Sequence, residues 1–421
     1  MTENTISSNL YLIAVEDDPL YVEALEVLLA DMGYTNVSIT DNGIDALKLF
    51  KQQPPDLLLM DINIKGPLNG IEMVEIASAI KKVPVIYVTS YNDPETFGKA
   101  KQSWLERSLA LPNGIPSHDT FGRVFAALDA EQFQQHFIDW VQAIWPPEAG
   151  EVVTVDGKTL RGSHDRTNGK EAIHLVSVWA QHSRLVLAQR AVDTKSNEIP
   201  AIPAILKLLD LKGCTVTIDA MGCQTEIAKQ IIRQEGNDAL AVKDNQESLH
   251  VAIADTFGYV AADGWQGVAH DHTQTVEAGH GRIEVRDYWL ITERAYLDEL
   301  NPTGVWHNVG GIGMVVRERT VGQVTTQETG YYLLSGTPTA KTFAHAVRGH
   351  WGIENQVHWV LDVTFSEDAS RIRTGDGAQN FAVLRHIALN LLRHESSKGS
   401  IKTKRFRAAL DTDYVLNVLQ N

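Results

Sequence analysis

The chain has 421 residues, of which 43% are hydrophobic and 21% are charged, so it is long enough for more than one globular domain and can fill real cores. Its net charge of −16 argues against a simple nucleic-acid-binding protein, because such a charge repels phosphate at long range. The sequence has no run of 18 apolar residues and no basic signal-peptide start, and its only cysteines are Cys214 and Cys223. We therefore expect a reduced cytoplasmic protein without a membrane span.

The first hundred residues alternate between strand and helix signals. Short apolar runs typical of buried strands are each followed by a segment of helical periodicity. The predicted strands are 10–15, 37–39, 57–60 and 83–88, and the predicted helices are 19–32, 43–53 and 70–82. This alternation predicts an α/β fold, with a parallel sheet, helices on both faces and a ligand site at the carboxyl ends of the strands.

Acidic and hydroxyl side chains follow three of these strands. Glu16 and Asp17 follow the first strand, Asp61 follows the third and Thr89 follows the fourth. Three converging carboxylates would hold one Mg²⁺ ion while Asp61 attacks a phosphoryl donor. The alternative is that acids at strand ends only form turns and helix caps.

The segments LIAVEDDP, DLLLMDI and PVIYVTSYND resemble a response-regulator receiver domain over residues 1–101. The resemblance implies that Asp61 is the phospho-acceptor, that Glu16 and Asp17 bind the metal, that Thr89 is the switch hydroxyl and that a histidine kinase is the partner. The chain departs from this pattern when it passes from SYNDPETFGKAKQ into SWLERSLALPNG, without the fifth strand and its lysine. We therefore expect a truncated flavodoxin-like receiver whose phosphorylation is weak or short-lived.

A second organisation begins near residue 151. The predicted strands are 151–157, 173–180, 184–191, 214–218 and 240–242, with helices at 198–210 and 225–235. The order of three strands, helix, strand, helix and strand is typical of a ribonuclease-H-like core. Residues 265–335 are β-rich and are predicted to form an inserted β-subdomain, and a late helix is predicted over 339–368.

The predicted late helix contains HWGIENQVHWVLDVTFSED. Within it His350, Glu354, His358 and Asp362 recur at every fourth position, which would stack them on one helix face. The adjoining stripe contains Trp351, Asn355 and Trp359. A carboxylate among histidines and aromatic residues indicates a chemical site, and the alternative is an amphipathic helix with a mixed polar face. A zinc site is not expected, because the two histidines would lie about 12 Å apart along the axis.

This helix and four other segments resemble the H-repeat-associated, ISAs-type insertion-sequence transposases of the DDE superfamily, over about 97–421. The other segments are VDGKTLRGS, TIDAMGCQ, AVKDNQ and LPNGIPSHDTFGRVF. The resemblance implies a helical remnant of the transposase N-terminal region at 102–150 and a ribonuclease-H-like catalytic domain at 151–384. A basic tail at 385–421 would follow.

The resemblance also implies a DDE catalytic site. Asp156 at the end of the first core strand, Asp219 at the end of the fourth and Glu354 on the late helix would hold two Mg²⁺ ions about 3.5 to 4 Å apart. Such a site cleaves DNA at transposon terminal repeats and transfers the strand to target DNA, in a homo-oligomer bound to DNA. The alternatives are an Asp-Gly turn at Asp156 and a helix cap at Asp219.

Further DNA contacts are predicted at basic and histidine residues near these segments. They are Lys158, Arg161, Lys243, His280, Arg282, Arg348, His350 and His358. The tail between Arg385 and Arg407 has seven basic residues and one acid, Glu395, so it could follow a DNA backbone or form a solvated terminus.

The point where the two resemblances meet suggests that DNA binding is impaired. The receiver lacks its last elements, and it stands where a longer helical transposase region would help to bind transposon ends. Residues 1–101 also contribute a net charge of −8, from 15 acidic and 7 basic side chains. We therefore expect poor binding of terminal-repeat DNA, and the alternatives are a phosphorelay receiver or a non-functional fusion product.

Overall fold

The computed structural model describes two compact units. They comprise Met1–Gly122 with Leu410–Thr412, and Arg123–Ala409 with Asp413–Asn421. The described residues are 10–17, 19–31, 33–62, 64–87, 94–144, 148, 150–164, 169, 171–192, 198–279 and 281–420. No described helix is long and apolar enough to cross a bilayer.

The first unit contains a four-stranded parallel sheet. Its elements are β1 (Leu12–Val15), α1 (Pro19–Asp31), β2 (Val37–Thr40), α2 (Gly43–Gln52), β3 (Leu57–Met60), α3 (Gly70–Ile80), β4 (Val85–Tyr87), α4 (Pro94–Ala100) and α5 (Gln102–Leu105). The strand order β2-β1-β3-β4 is that of the flavodoxin-like fold and confirms the predicted fold class. In the part of this unit that is described, β4 is an edge strand.

Local sequence signals explain these elements. The β1 and β3 strands are short apolar runs with buried side chains, as expected for the central strands of a parallel sheet. Asn42 caps α2 by accepting from the Asp45 N–H, and Asn69 forms a capping box with Glu72 at the start of α3. The elements therefore begin within a few residues of their predicted positions.

The second unit is built on a nine-stranded mixed sheet. Its helices are α6 (His118–Ala127), α7 (Ala130–Ile144), α8 (Glu198–Leu206), α9 (Thr225–Arg233), α10 (Glu247–Ala262), α11 (Arg294–Leu300), α12 (Ala340–His350), α13 (Trp359–Phe365), α14 (Gly377–His394), α15 (Ile401–Leu410) and α16 (Thr412–Gln420). Its strands are β5 (Val152–Thr159), β6 (His174–Ala180), β7 (Leu185–Val192), β8 (Thr215–Ile218), β9 (Asn237–Val242), β10 (His270–Gly279), β11 (Arg282–Ile291), β12 (Val309–Val321) and β13 (Val324–Ser335). The first of these helices, α6, begins in the first unit.

Five of the nine strands form the predicted ribonuclease-H-like core. The sheet order is β10-β11-β12-β13-β9-β8-β5-β6-β7. Strands β5, β6 and β7 are antiparallel neighbours, and β8 and β9 continue the sheet parallel to β5. All seven residues of β6 are buried, because helices cover the centre of the sheet.

The predicted β-insertion extends the core sheet. Strand β13 pairs antiparallel with β9, and Leu333 and Leu334 opposite Leu240 and Ala239 are buried. The strands β10 to β13 therefore continue the hydrogen bonding of the core sheet.

The prediction of one continuous late helix is wrong. Helix α12 ends at His350, and a π-helical turn over Glu354–His358 separates it from α13. Gly352 lies before this turn, where a Cβ atom would approach Trp179 Cη2 to 2.6 Å. The extra residue in the turn changes the angular register of the four predicted residues, although Glu354 and His358 still bring ligand atoms within 4.8 Å of each other. Glu354 is exposed and His358 is buried.

The predicted basic tail is folded into helices α14 to α16. Leu392, Tyr414 and Val418 form a small core there. Lys404, which is 7% exposed, donates hydrogen bonds to the carbonyl oxygens of Leu392 and Glu395. At least one of the basic residues, Lys404, therefore forms hydrogen bonds within the fold.

Helix α14 completes the hydrogen bonding of the edge strand β7. The fully buried Asn390 accepts from the Val186 N–H at 2.9 Å and donates to the Val186 carbonyl at 2.9 Å. At this point the helix takes the place of a neighbouring strand.

We predict that Asn390→Leu destabilises the second unit by about 2 to 5 kcal/mol, because two buried backbone groups of Val186 lose their partners. Urea unfolding followed by tryptophan fluorescence measures this change. The control Gln323→Ala, at an exposed turn, should stay within about 0.5 kcal/mol of the original chain. Equal stabilities for the two variants would contradict the proposed role of Asn390.

Candidate active site

The pairing of β5 with β8 brings two acids to one edge of the sheet. Val155 lies opposite Ile218 in the parallel register, so Asp156 and Asp219 are the next residues on neighbouring strands. Asp219 also caps a short 3₁₀ turn by accepting from the Gly222 N–H at 3.2 Å. Asp219 therefore acts as a helix cap, which was the alternative interpretation from the sequence, and it also lies next to Asp156.

The π-helical turn supplies two more polar side chains. Ligand atoms of Asp156, Glu354 and His358 all lie within 4.8 Å of one another. His358 Nδ1 is 3.4 Å from Asp156 Oδ2. Asp219 is not in this closest group, but its charge acts on Asp156. Sequence reasoning assigned His358 only a weak DNA contact; its four-residue spacing from Glu354 was the available signal.

Burial and neighbouring charge change the acid-base properties of this group. The pKa of Asp156 is raised to about 7, mainly by burial and also by the charges of Glu354, Asp219 and Glu198, while the hydrogen bond from the Gly157 N–H acts in the opposite direction. Burial lowers the pKa of His358 to about 4, with added repulsion from Lys158 and His174. At neutral pH the imidazole of His358 is therefore uncharged and does not offset the negative charge that raises the pKa of Asp156.

These residues fit a divalent cation. His358 Nε2 and His350 Nδ1 are buried nitrogen atoms that make no hydrogen bond to any described residue. Burial lowers the pKa of His350, while the charge of Asp219 opposes that shift. Carboxylate oxygens suit Mg²⁺ or Mn²⁺, and a neutral imidazole nitrogen is also a metal ligand.

Lys158, predicted as a phosphate contact, lies in a nearly buried ionic network. Its Nζ atom donates to Asp362 at 2.5 Å and to Glu367 at 2.8 Å, and its side chain is 12% exposed. Glu367 is 2% exposed and also faces Arg385 at 3.9 Å. The charge of Lys158 is therefore matched within the fold.

The other predicted DNA contacts are spread over the surface of the second unit. Arg161 lies 3.5 Å from Asp368, Arg282 lies 3.0 Å from Glu284, Arg348 lies 2.8 Å from Glu277, and Lys243 is exposed after β9. His280 lies outside the described residues. These contacts remain predictions.

A second acidic group occurs in the first unit. Ligand atoms of Glu16, Asp17 and Asp61 lie within 4.8 Å of one another, and Glu16 and Asp61 are buried. Lys65 donates to the Asp17 carbonyl oxygen at 3.0 Å. The predicted switch residue Thr89 lies outside the described residues. The predicted metal ligands of the receiver are therefore together at the carboxyl end of the sheet.

Comparison with protein families identifies both units. The transposase DDE domain matches residues 147–391, and its associated domain matches residues 85–141. The chain belongs to the DDE transposase family. The response regulator receiver domain matches residues 12–110 of this transposase-family chain, so both predicted resemblances are confirmed.

Individual relatives agree with this assignment. "Putative transposase YncI" of Escherichia coli O157:H7 is 40% identical over 85% of this chain and 90% of its own length. "H repeat-associated putative transposase YhhI" of Escherichia coli K12 is 36% identical over 85% of this chain and 93% of its own length. The transcriptional regulatory protein AfsQ1 of Streptomyces coelicolor is 34% identical over 20% of this chain and 36% of its own length.

The sequence predicts that a longer helical N-terminal region of the transposase is missing, and the share of a relative's length that this chain matches can be compared with that prediction. The match leaves about a tenth of YncI uncovered. The loss of a large N-terminal transposase region, expected from sequence, is therefore not supported by this relative.

We predict that Lys158→Met destabilises the second unit by about 3 to 5 kcal/mol, because it leaves Glu367 buried without its lysine. Lys158→Met/Glu367→Gln should recover part of this loss. The control Lys229→Met removes a more exposed pair with Glu226 and should cost about 1 kcal/mol or less. Denaturant unfolding separates these cases.

A DNA contact at Lys158 would give a different result. In that case the Lys158→Met variant would be as stable as the original chain. The slope of the logarithm of DNA affinity against the logarithm of salt concentration would fall by about 1.

Proposed function

We propose that the second unit cleaves and joins DNA strands by divalent-metal-dependent phosphoryl transfer during transposition of an insertion sequence. The observation that carries this proposal is the convergence of Asp156, Glu354 and His358 beside Asp219, at the end of the central strands of a DDE-family fold. Transposon terminal repeats and target DNA are the proposed substrates.

The residues of the site have separate roles in this proposal. Asp156, Asp219 and Glu354 bind the cations through carboxylate oxygens, and His358 adds a neutral nitrogen. When bound, divalent cations activate the attacking water or 3′-hydroxyl and stabilise the leaving oxygen. A cation also offsets the charge of Glu354 and Asp219 on Asp156, which favours the ionised form of Asp156.

The surface around Glu354 supports a nucleic-acid substrate. Trp351 and Trp359 flank Glu354 along the chain and are 51% and 59% exposed. Exposed aromatic rings stack on nucleotide bases without regard to their sequence. The exposed cations Arg161 and Lys243 are the proposed phosphate contacts, and a homo-oligomer on DNA is part of the same proposal.

We predict that Asp156→Asn and Glu354→Gln each weaken Mn²⁺ binding and abolish metal-dependent cleavage of terminal-repeat DNA, because each removes a carboxylate ligand. Isothermal titration with MnCl₂ and a strand-cleavage assay measure the two effects. Asp255→Asn, an exposed acid on α10, is the matched control and should change neither. Unaltered Mn²⁺ affinity in both site variants would refute the metal assignment.

The acidic group of the first unit favours a second function. We propose that Asp61 accepts a phosphoryl group from a histidine kinase or a small phosphodonor, with one Mg²⁺ held by Glu16, Asp17 and Asp61. The sequence departs from the receiver pattern after SYNDPETFGKAKQ, where a fifth strand and its lysine would contribute to the face that transmits this event. We therefore expect phosphorylation without an effect on DNA cleavage.

We predict that acetyl phosphate with Mg²⁺ adds one phosphoryl group to the chain and that Asp61→Asn prevents it. Intact-protein mass spectrometry over time measures both the extent and the lifetime. Asp41→Asn, an exposed acid in the same unit, should behave like the original chain. A long-lived modification that changes the cleavage rate would contradict the expected lack of coupling.

A further inference from the structure

The π-helical turn that carries Glu354 and His358 is an unusual element held by a specific contact. In this turn the Trp359 N–H donates to the Glu354 carbonyl, five residues back. Such a turn changes the intrahelical hydrogen-bond pattern and is rare outside functional sites. Here the Gln356 carbonyl, inside the turn, accepts a hydrogen bond from Arg393 of α14.

The same arginine reaches a second backbone group. Its other terminal nitrogen donates to the Arg184 carbonyl at 2.8 Å. Arg184 lies between β6 and β7 and has a φ of 57°, a left-handed conformation that is uncommon for a residue with a side chain. Arg393 therefore joins the π-turn to the hairpin at the edge of the core sheet.

Helix α14 is itself fixed to that sheet. Asn390, one turn before Arg393, bonds both backbone groups of Val186 on β7. Burial lowers the pKa of Arg393 to about 10, so the guanidinium stays charged at neutral pH. A charged donor to a carbonyl makes a stronger hydrogen bond than a neutral one.

We propose that Arg393 is a positioning residue for the metal-binding group, because it holds the π-turn in the geometry that brings Glu354 and His358 to Asp156. This inference rests on the proposed function of that group. An α-helical turn over the same residues would change the angle between the Glu354 and His358 side chains and the position of both relative to Asp156. Arg393 itself makes no contact with the acids.

Arg405 provides a matched control within the same layer. It also donates to a backbone carbonyl of the late helix, that of Thr364, and its guanidinium lies 5.4 Å from the centre of the Phe365 ring. Thr364 lies in α13, beyond the π-turn. Arg405→Gln should therefore destabilise the region without changing the position of Glu354 and His358.

The test compares Arg393→Gln, Arg393→Lys, Arg405→Gln and a deletion of Gln356 in the full chain. Mn²⁺ affinity is measured by calorimetry, stability by unfolding, and amide exchange over 354–359 by mass spectrometry. We expect Arg393→Gln and the deletion to weaken Mn²⁺ binding about 10-fold or more. Changes of this size are typical when a residue that orients metal ligands, without binding the metal itself, is replaced. Arg393→Lys should recover part of the affinity.

The readouts separate this inference from the proposed function. Faster exchange over 354–359 with weaker Mn²⁺ binding in Arg393→Gln, and neither effect in Arg405→Gln, would support the positioning role. Unchanged Mn²⁺ affinity and exchange in Arg393→Gln would overturn it. If the original chain binds no Mn²⁺, the proposed metal site fails, and the exchange data alone then decide whether Arg393 holds the turn.

Discussion

The parallel pairing of β5 with β8 is the constraint on which the candidate active site depends. It places Asp156 and Asp219 side by side at the carboxyl edge of a sheet whose centre is buried. Two carboxylates in such a place are costly, and the raised pKa of Asp156 expresses that cost. These acids lie next to the neutral imidazole of His358. Their mutual repulsion lowers the stability of the fold, but the same group of ligands suits a bound cation.

A layer of buried polar side chains supports this arrangement from behind. Asn390 and Arg393 bond backbone groups of the sheet edge and the π-turn, and Lys158 joins β5 to Asp362 and Glu367 after that turn. Each of these groups is paired. An unpaired polar group in such a place would destabilise the fold by more than one hydrogen bond stabilises it. The late segment is consequently fixed at Gln356, Asp362 and Glu367, all of which follow Glu354 in the chain.

The receiver-like unit forms its own sheet, cores and acidic group. The net charge of −8 over residues 1–101 opposes non-specific attraction to DNA. The two family matches overlap between residues 85 and 110, which places the meeting point of the families after the third receiver helix. One chain thus joins a unit that matches the receiver family to a unit of the DDE transposase family.

The sequence alone determined the order of strands and helices from β1 to β4 and from β5 to β9, since local apolar periodicity and caps such as Asn69 act over a few residues. Sequence also singled out Glu16, Asp17 and Asp61 in the first unit and Asp156 and Glu354 in the second, and the ligand atoms within each set lie close together. Only the tertiary structure decided that β10 to β13 extend the core sheet, that Lys158 is occupied by Asp362 and Glu367, and that His358 faces Asp156. The π-turn was beyond sequence reasoning because it depends on Arg393, 37 residues from Gln356 in the chain, and periodicity carries no information about such a contact.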